Sequence, residues 1–169
     1  MKFSIALLAS ALIAGRLCNC QDRRLNIQTS VAKLYQSLKS YSGTSYSEAL
    51  DIDSAAKALV KDLDTANTDG QAVSSVTVTQ ANAIISILNN TYVNVTGASQ
   101  RLVELEPSFK KLGIAGIAKT DLVNIANSTK TFGVTLVDKA PAASKSSASA
   151  LAAKYNDALA SGLAVYASD

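Results

Sequence analysis

Few residues in this chain are of types that do chemistry, and their pattern argues against catalysis. Acidic side chains come in close pairs, Asp51 with Asp53 and Asp62 with Asp64, a pairing that can serve acid–base work or cation binding. On a helix, residues two apart point away from each other, so these pairs read as a solvated face. Histidine is absent from all 169 residues, and the two cysteines, Cys18 and Cys20, lie close to the N-terminus. Without His or a retained thiol, Ser-His-Asp and Cys-His arrangements cannot be assembled, and zinc loses its best ligands. No glycine-rich phosphate loop occurs. The expectation is a protein with no catalytic residues, no metal and no cofactor, one that binds and does not react.

The N-terminal segment reads as an address. Met1-Lys2 is a short positive start, and Phe3 to Ala14 is an apolar run too short to span a bilayer but suited to a signal peptide. Cleavage after Cys20 and cleavage after Gly15 compete. The small residues Cys18 and Cys20 favour the former, giving a signal peptide over 1–20 and a single domain over 21–169. Removal of Lys2 and Arg16 lowers the 16 basic residues to 14, against 13 acidic ones. The mature charge is then near neutral, and no basic stripe with interleaved aromatics points to nucleic acid. No later stretch is long enough to cross a membrane. A secreted chain gives meaning to three N-glycosylation triplets, at Asn89, Asn94 and Asn127. Asn127 is expected to be the most exposed, and Asn89 and Asn94 lie on helix flanks. The cluster Ser144, Ser146, Ser147 and Ser149 adds scope for O-linked sugar.

These residues must be carried by helices. Hydrophobic content is 48%, aromatic content only 5%, and two prolines interrupt the chain, so the core is built from Ala, Leu, Ile and Val on long helices. Apolar residues recur at steps of three and four almost throughout. Ile27, Val31, Leu34, Leu38 and Tyr41 mark a first helix, and Ala49, Ile52, Ala56, Leu59, Leu63 and Ala66 a second. In the second, Asp53 and Lys57 attract at spacing four. Asn67 to Val78 reads as a polar link around Asp69-Gly70. A long third helix, capped by Thr79, turns Ala81, Ile84, Leu88, Tyr92, Val95, Ser99 and Leu102 to one side. Pro107 bends or ends it, and Gly113 stops it. The fourth helix carries Leu122, Ile125, Thr129, Phe132 and Leu136 inward. The fifth starts at Pro141 with a stripe of Ala148, Leu151, Tyr155, Leu159 and Tyr166. Short links between such elements predict an all-α antiparallel bundle of about five amphipathic helices with one long central helix.

From Leu34 to Ser168 the chain resembles the hydrophobic surface binding protein A family of fungi, also described as cell-wall galactomannoproteins. The likeness rests on the Tyr41-Ser42-Gly43 turn before Ala49-Leu50, and on the Ile84–Leu105 helix running into Phe109-Lys110-Lys111-Leu112-Gly113. It continues with Asp121-Leu122 opening the next helix, Leu136-Val137-Asp138-Lys139-Ala140-Pro141 closing it, and an alanine-rich last helix ending near Val165-Tyr166. These are packing and capping motifs. The Cys-Asn-Cys signal region and the asparagine-rich third helix depart from the usual pattern. The resemblance implies secretion to the medium or the cell wall, mannosylation, and binding of hydrophobic surfaces or of fatty acids inside the bundle. Joined to the inward stripes, it makes Leu59, Leu63, Leu88, Tyr92, Val95, Ile125, Phe132, Tyr155 and Leu159 the candidate ligand wall. Ser99 and Thr129 fall on the same faces. Their hydroxyls either bond back to their own helix or meet a carboxylate head group, as do the phenols of Tyr92 and Tyr155 in the second case. Alternatives are a structural wall glycoprotein that contacts polysaccharide, and an adsorbed adaptor that recruits a secreted hydrolase. A monomer is expected.

Overall fold

The computed structural model describes residues 26–168, and the expected signal peptide over 1–20 lies outside them. Five helices follow one another: α1 over 26–40, α2 over Tyr46–Ala72, α3 over Val78–Lys111, α4 over Ala115–Lys139 and α5 over Ala142–Val165. A 3₁₀ turn, Tyr166–Ser168, closes the chain. No strand occurs among the described residues.

Local chemistry sets the boundaries. Ser45 caps α2 by accepting from the Glu48 amide, and the Glu48 carboxylate reaches back to the amide and hydroxyl of Ser42, both at 2.8 Å. This acceptance from the Ser42 amide and hydroxyl holds the Glu48 carboxyl below its ordinary range. The cap of α3 lies two residues before the expected Thr79. Thr77 and Gln80 form a reciprocal capping box, which satisfies two otherwise orphaned amides and so outcompetes the later threonine. Pro107 lies inside α3, near its end, and the helix runs on to Lys111. Gly113, at φ +72°, then stops it: the Ile114 amide donates to Phe109 and the Gly113 amide to Lys110.

Two further boundaries differ from the sequence expectation. α2 passes through Gly70 to Ala72, which shortens the link to Val73–Thr77. Gly70 is a contact residue: a Cβ there would meet the Thr135 methyl of α4 at 3.0 Å, and one turn earlier Asn67 accepts from the Thr135 hydroxyl at 2.6 Å. α4 starts at Ala115, six residues before Asp121, because the amides of Ile117 and Ala118 both bond to the Ile114 carbonyl.

The direction of neighbouring helices follows from their cross-links. α2 meets α4 through Asp64–Ser128, Asn67–Thr135 and Gln71–Lys139, at near-constant separations of 64 to 68 residues. α3 meets α5 through Asn82–Ser144, Leu88–Tyr155 and Leu102–Tyr166, separated by 62 to 67. Constant separation means that each of these pairs runs parallel. Helices consecutive in sequence run antiparallel, as their short links require. α4 packs on α5, and α1 closes the circuit, touching α2 at Ser30–Asp62 and α3 where the Arg101 guanidinium reaches the Leu38 carbonyl. Side by side the order is thus α1, α2, α4, α5, α3 and back to α1.

Every apolar residue expected in the first two stripes is buried. In α3 the buried face is rotated slightly: Thr91 and Ala98 are buried, while Ile84 and Tyr92 are half-buried. Thr91 enters the core because its hydroxyl donates to the Ile87 carbonyl of its own helix, which removes the cost of burying it. The second acidic pair acts between helices: Asp62 accepts from Ser30 on α1 and Asp64 from Ser128 on α4. Among the described residues no group of three or more metal-type ligands comes together.

Candidate functional site

A ring of five helices leaves a lumen, and small side chains decide how wide it is. Gly133 of α4 faces Ala152 of α5, where an added Cβ would come within 3.2 Å, and Gly162 lies equally close to Leu122. These glycines draw α4 and α5 together on one side. The long side chains on the other helices do not fill what remains.

The result is an apolar chamber along the bundle axis, with residues from all five helices on its wall. Its cavity volume, taken as the space open to the centre of a water-sized sphere, is about 70 Å³. One water needs about 10–15 Å³ on that measure, so the chamber is a narrow slot and not a packing defect.

Ten of the eleven expected wall residues line this slot: Leu59 and Leu63 from α2, Leu88, Val95 and Ser99 from α3, Ile125, Thr129 and Phe132 from α4, Tyr155 and Leu159 from α5. Tyr92 is not among them. It stands behind Tyr155, with ring centroids 5.6 Å apart. α1 contributes Ile27, Val31 and Leu34, which the sequence reading treated as ordinary core because nothing in the stripe of one helix shows that it faces a lumen.

The polar groups on the wall are already engaged. The Ser99 hydroxyl donates to the Ala158 carbonyl of α5 at 2.6 Å, and the Tyr155 hydroxyl to the Leu88 carbonyl of α3 at 2.7 Å. Both bonds cross between helices, where the sequence suggested a bond within one helix or to a ligand. Burial, and secondarily the Tyr92 phenol, raise the Tyr155 pKa well above the ordinary phenol value, so its proton stays in place.

A second apolar chamber of similar size lies end-on to the first, toward the α2–α3 and α4–α5 links. Its wall includes Ala66, Val73, Ile84, Ile85 and Ala148, with Lys139 and Asp69 at its polar side. Phe132 and Leu136 belong to the walls of both chambers. The core also falls into a large cluster and a smaller one around Ile85, Leu88, Ala148 and Leu151, with Phe132 and Tyr155 packed against both.

At the opposite end α2 and α4 bring together a carboxyl pair that no sequence spacing displayed. Asp121 is buried close to Asp53, with Lys57 paired to Asp53 at 2.8 Å. Burial first, and the Asp53 carboxylate second, raise Asp121 to about 6.

The expected glycosylation sites all lie within helices. Asn89 and Asn127 are exposed and Asn94 is half-buried. Ser144 of the serine cluster is 1% exposed and donates to Asn82, so it is not a surface hydroxyl.

Among curated protein sequences, none matches this chain. Solved structures do. AFMP4P, crystallised in complex with palmitic acid, superposes with a TM-score of 0.83 at 20% identity, over 89% of this chain and 99% of that one. Ligand binding domain 1 of the Penicillium marneffei MP1 protein, complexed with arachidonic acids, gives 0.80 at 16% identity over 86% and 95%. Domain 2 of the same protein, complexed with multiple arachidonic acids, gives 0.81 at 15% identity over 88% and 94%. At these identities the likeness is one of fold. The sequence profile of hydrophobic surface binding protein A matches residues 25–138, well over half of the chain, and the protein therefore belongs to that family.

Proposed function

We propose that this protein is a secreted, non-enzymatic carrier that encloses a long-chain fatty acid or similar apolar molecule between its helices. The observation that carries the reading is the axial slot, walled by hydrocarbon from every helix, with its two cross-helix hydroxyl donors spent on the protein's own backbone. The palmitic and arachidonic acids bound to proteins of the same fold support the choice of ligand class. The magnitudes are sufficient. Burying about fourteen methylenes at roughly 0.8 kcal/mol each gives about 11 kcal/mol gross. Lost translational freedom offsets about 4 kcal/mol or more, leaving affinity on the order of micromolar. The slot is narrow, so a ligand enters by spreading the helices, which costs part of that gain.

Secretion follows from the leader-like segment over 1–20, and attachment of N-linked sugar at Asn127, Asn89 and Asn94 belongs to the same reading. The mature domain over 21–169 acts as a monomer in the medium or the wall. Titration with a fluorescent fatty acid tests the proposal. Saturable one-to-one binding, weakened by Phe132→Asp in a variant that keeps its helical circular dichroism, is the expected result. Uptake that does not saturate and tracks available surface area overturns the pocket and leaves adsorption.

A further inference from the structure

The axial slot can hold a hydrocarbon chain, but it is poorly equipped to hold a carboxylate. An ionised carboxylate only accepts hydrogen bonds, so it needs donors or a cation. On the wall of the slot the protons of Ser99 and Tyr155 are committed to backbone carbonyls, which leaves Thr129 as the remaining side-chain hydroxyl on the described wall. No lysine or arginine lines it among the described residues.

The end-on chamber differs in this respect. Its wall includes Lys139, whose ammonium donates to the Gln71 carbonyl at 2.9 Å and the Val73 carbonyl at 2.8 Å. An ammonium carries three N–H donors, so these two bonds leave one for a further acceptor. The same side chain also lines an outer groove with Lys130, Thr131 and Asp138, so it stands between solvent and the apolar interior. α3 and α5 begin at this end while α2 and α4 finish there, so the helix dipoles largely offset one another and the Lys139 ammonium is the cation on this wall. Asp69, on the α2 side of the chamber, repels an anion and so favours the α4 side, where Lys139 is.

Resting on the carrier reading above, we propose that the two chambers form one channel entered from the α2–α3 loop end, with Lys139 binding the carboxylate of the fatty acid at the mouth and its chain passing Phe132 and Leu136 into the axial slot. The lengths agree. The combined walls run along α3 from Gln80 to Leu102, which is about 33 Å at about 1.5 Å per residue. A bilayer's hydrocarbon core, two acyl chains deep, is about 30 Å, so one chain needs about 15 Å. A head group at Lys139 therefore leaves the whole chain inside. Phe132 and Leu136, both half-buried, line both chambers and so stand between them.

The test compares palmitic acid with hexadecanol, which has the same chain and no charge, on the wild type, Lys139→Gln and Lys139→Arg at neutral pH. Lys139→Gln is expected to weaken palmitic acid about tenfold to a hundredfold, the range of a charge-assisted hydrogen bond, and hexadecanol less than twofold. Lys139→Arg is expected to keep acid binding near the wild-type level. An equal loss for both ligands overturns the proposal, since Lys139 then acts only as a latch on the loop, and so does no loss for either. If the wild type binds neither ligand, the carrier reading itself fails. Wild-type binding of hexadecanol with an unselective Lys139→Gln variant removes the carboxylate site alone.

Discussion

The buried carboxyl pair between α2 and α4 predicts an unusual pH dependence of stability. Asp121 titrates near 6 in the folded chain, above its ordinary value of 3.8. The folded state therefore holds this proton more tightly than the unfolded state does. Its contribution is fully present below about pH 4 and is lost as pH rises through about 6. The full shift corresponds to about 3 kcal/mol at about 1.4 kcal/mol per unit. Solvent screens part of the repulsion, so about 1–3 kcal/mol is expected. Asp121→Asn keeps a hydrogen-bond donor toward Asp53 and removes the titration. Urea unfolding followed by circular dichroism at pH 4, 5, 6 and 7 measures the difference. The wild type should lose about 1–3 kcal/mol more than Asp121→Asn between pH 4 and pH 7. Glu48, held below its ordinary range, works in the opposite direction in both proteins and cancels in the comparison. Parallel curves for the two proteins would refute the reasoning, because Asp121 would then titrate alike in the folded and unfolded chains.

Other substitutions probe the packing around the lumen. Leu122→Ala, at a side chain 1% exposed beside Gly162, should cost about 2–5 kcal/mol in urea unfolding; a cost below about 1 kcal/mol would mean that α4 and α5 close up around the gap. At Gly97 a Cβ would stand 2.6 Å from the Tyr35 ring of α1. Gly97→Ala gains about 1 kcal/mol of helix propensity and incurs about 1–3 kcal/mol of overpacking, so the net effect should be destabilising, and a raised melting temperature would show that α1 gives way freely. Enzymatic release of N-glycans from protein made in a glycosylating host should lower its apparent mass, most of the shift disappearing in Asn127→Gln. Thr91 and Thr129, the third residues of two triplets, lie buried and half-buried in the bundle, so the refolded, unmodified protein should be a poor acceptor for the same transfer.

The helices were legible because each buries one stripe against the others, and a stripe is a property of a single segment. Leu59, Leu63, Val95, Ile125 and Leu159 could be assigned inward on spacing alone, and all lie on the slot. What spacing does not encode is which helices become neighbours. The parallel pairing of α2 with α4 and of α3 with α5 appears only in cross-links some 60 residues apart, such as Asn67–Thr135 and Leu88–Tyr155. For the same reason Asp53 and Asp121 could not be matched, and Gly70 looked like a breaker when it is a close contact with Thr135. The spacing of Leu88, Tyr92 and Val95 predicts Tyr92 on the wall, but the slight rotation of the α3 face puts it against Tyr155. Lys139 is legible in the sequence only as part of the motif that closes α4, since a lysine in the last turn of a helix is expected there for the dipole alone.

Native mass spectrometry of the protein mixed with palmitic acid most directly tests whether the lumen is a binding site. Enclosure predicts discrete complexes that saturate at fixed stoichiometry and are depleted in Phe132→Asp. Bare protein at every ligand concentration, alongside adsorption to oil droplets in proportion to their area, would contradict it.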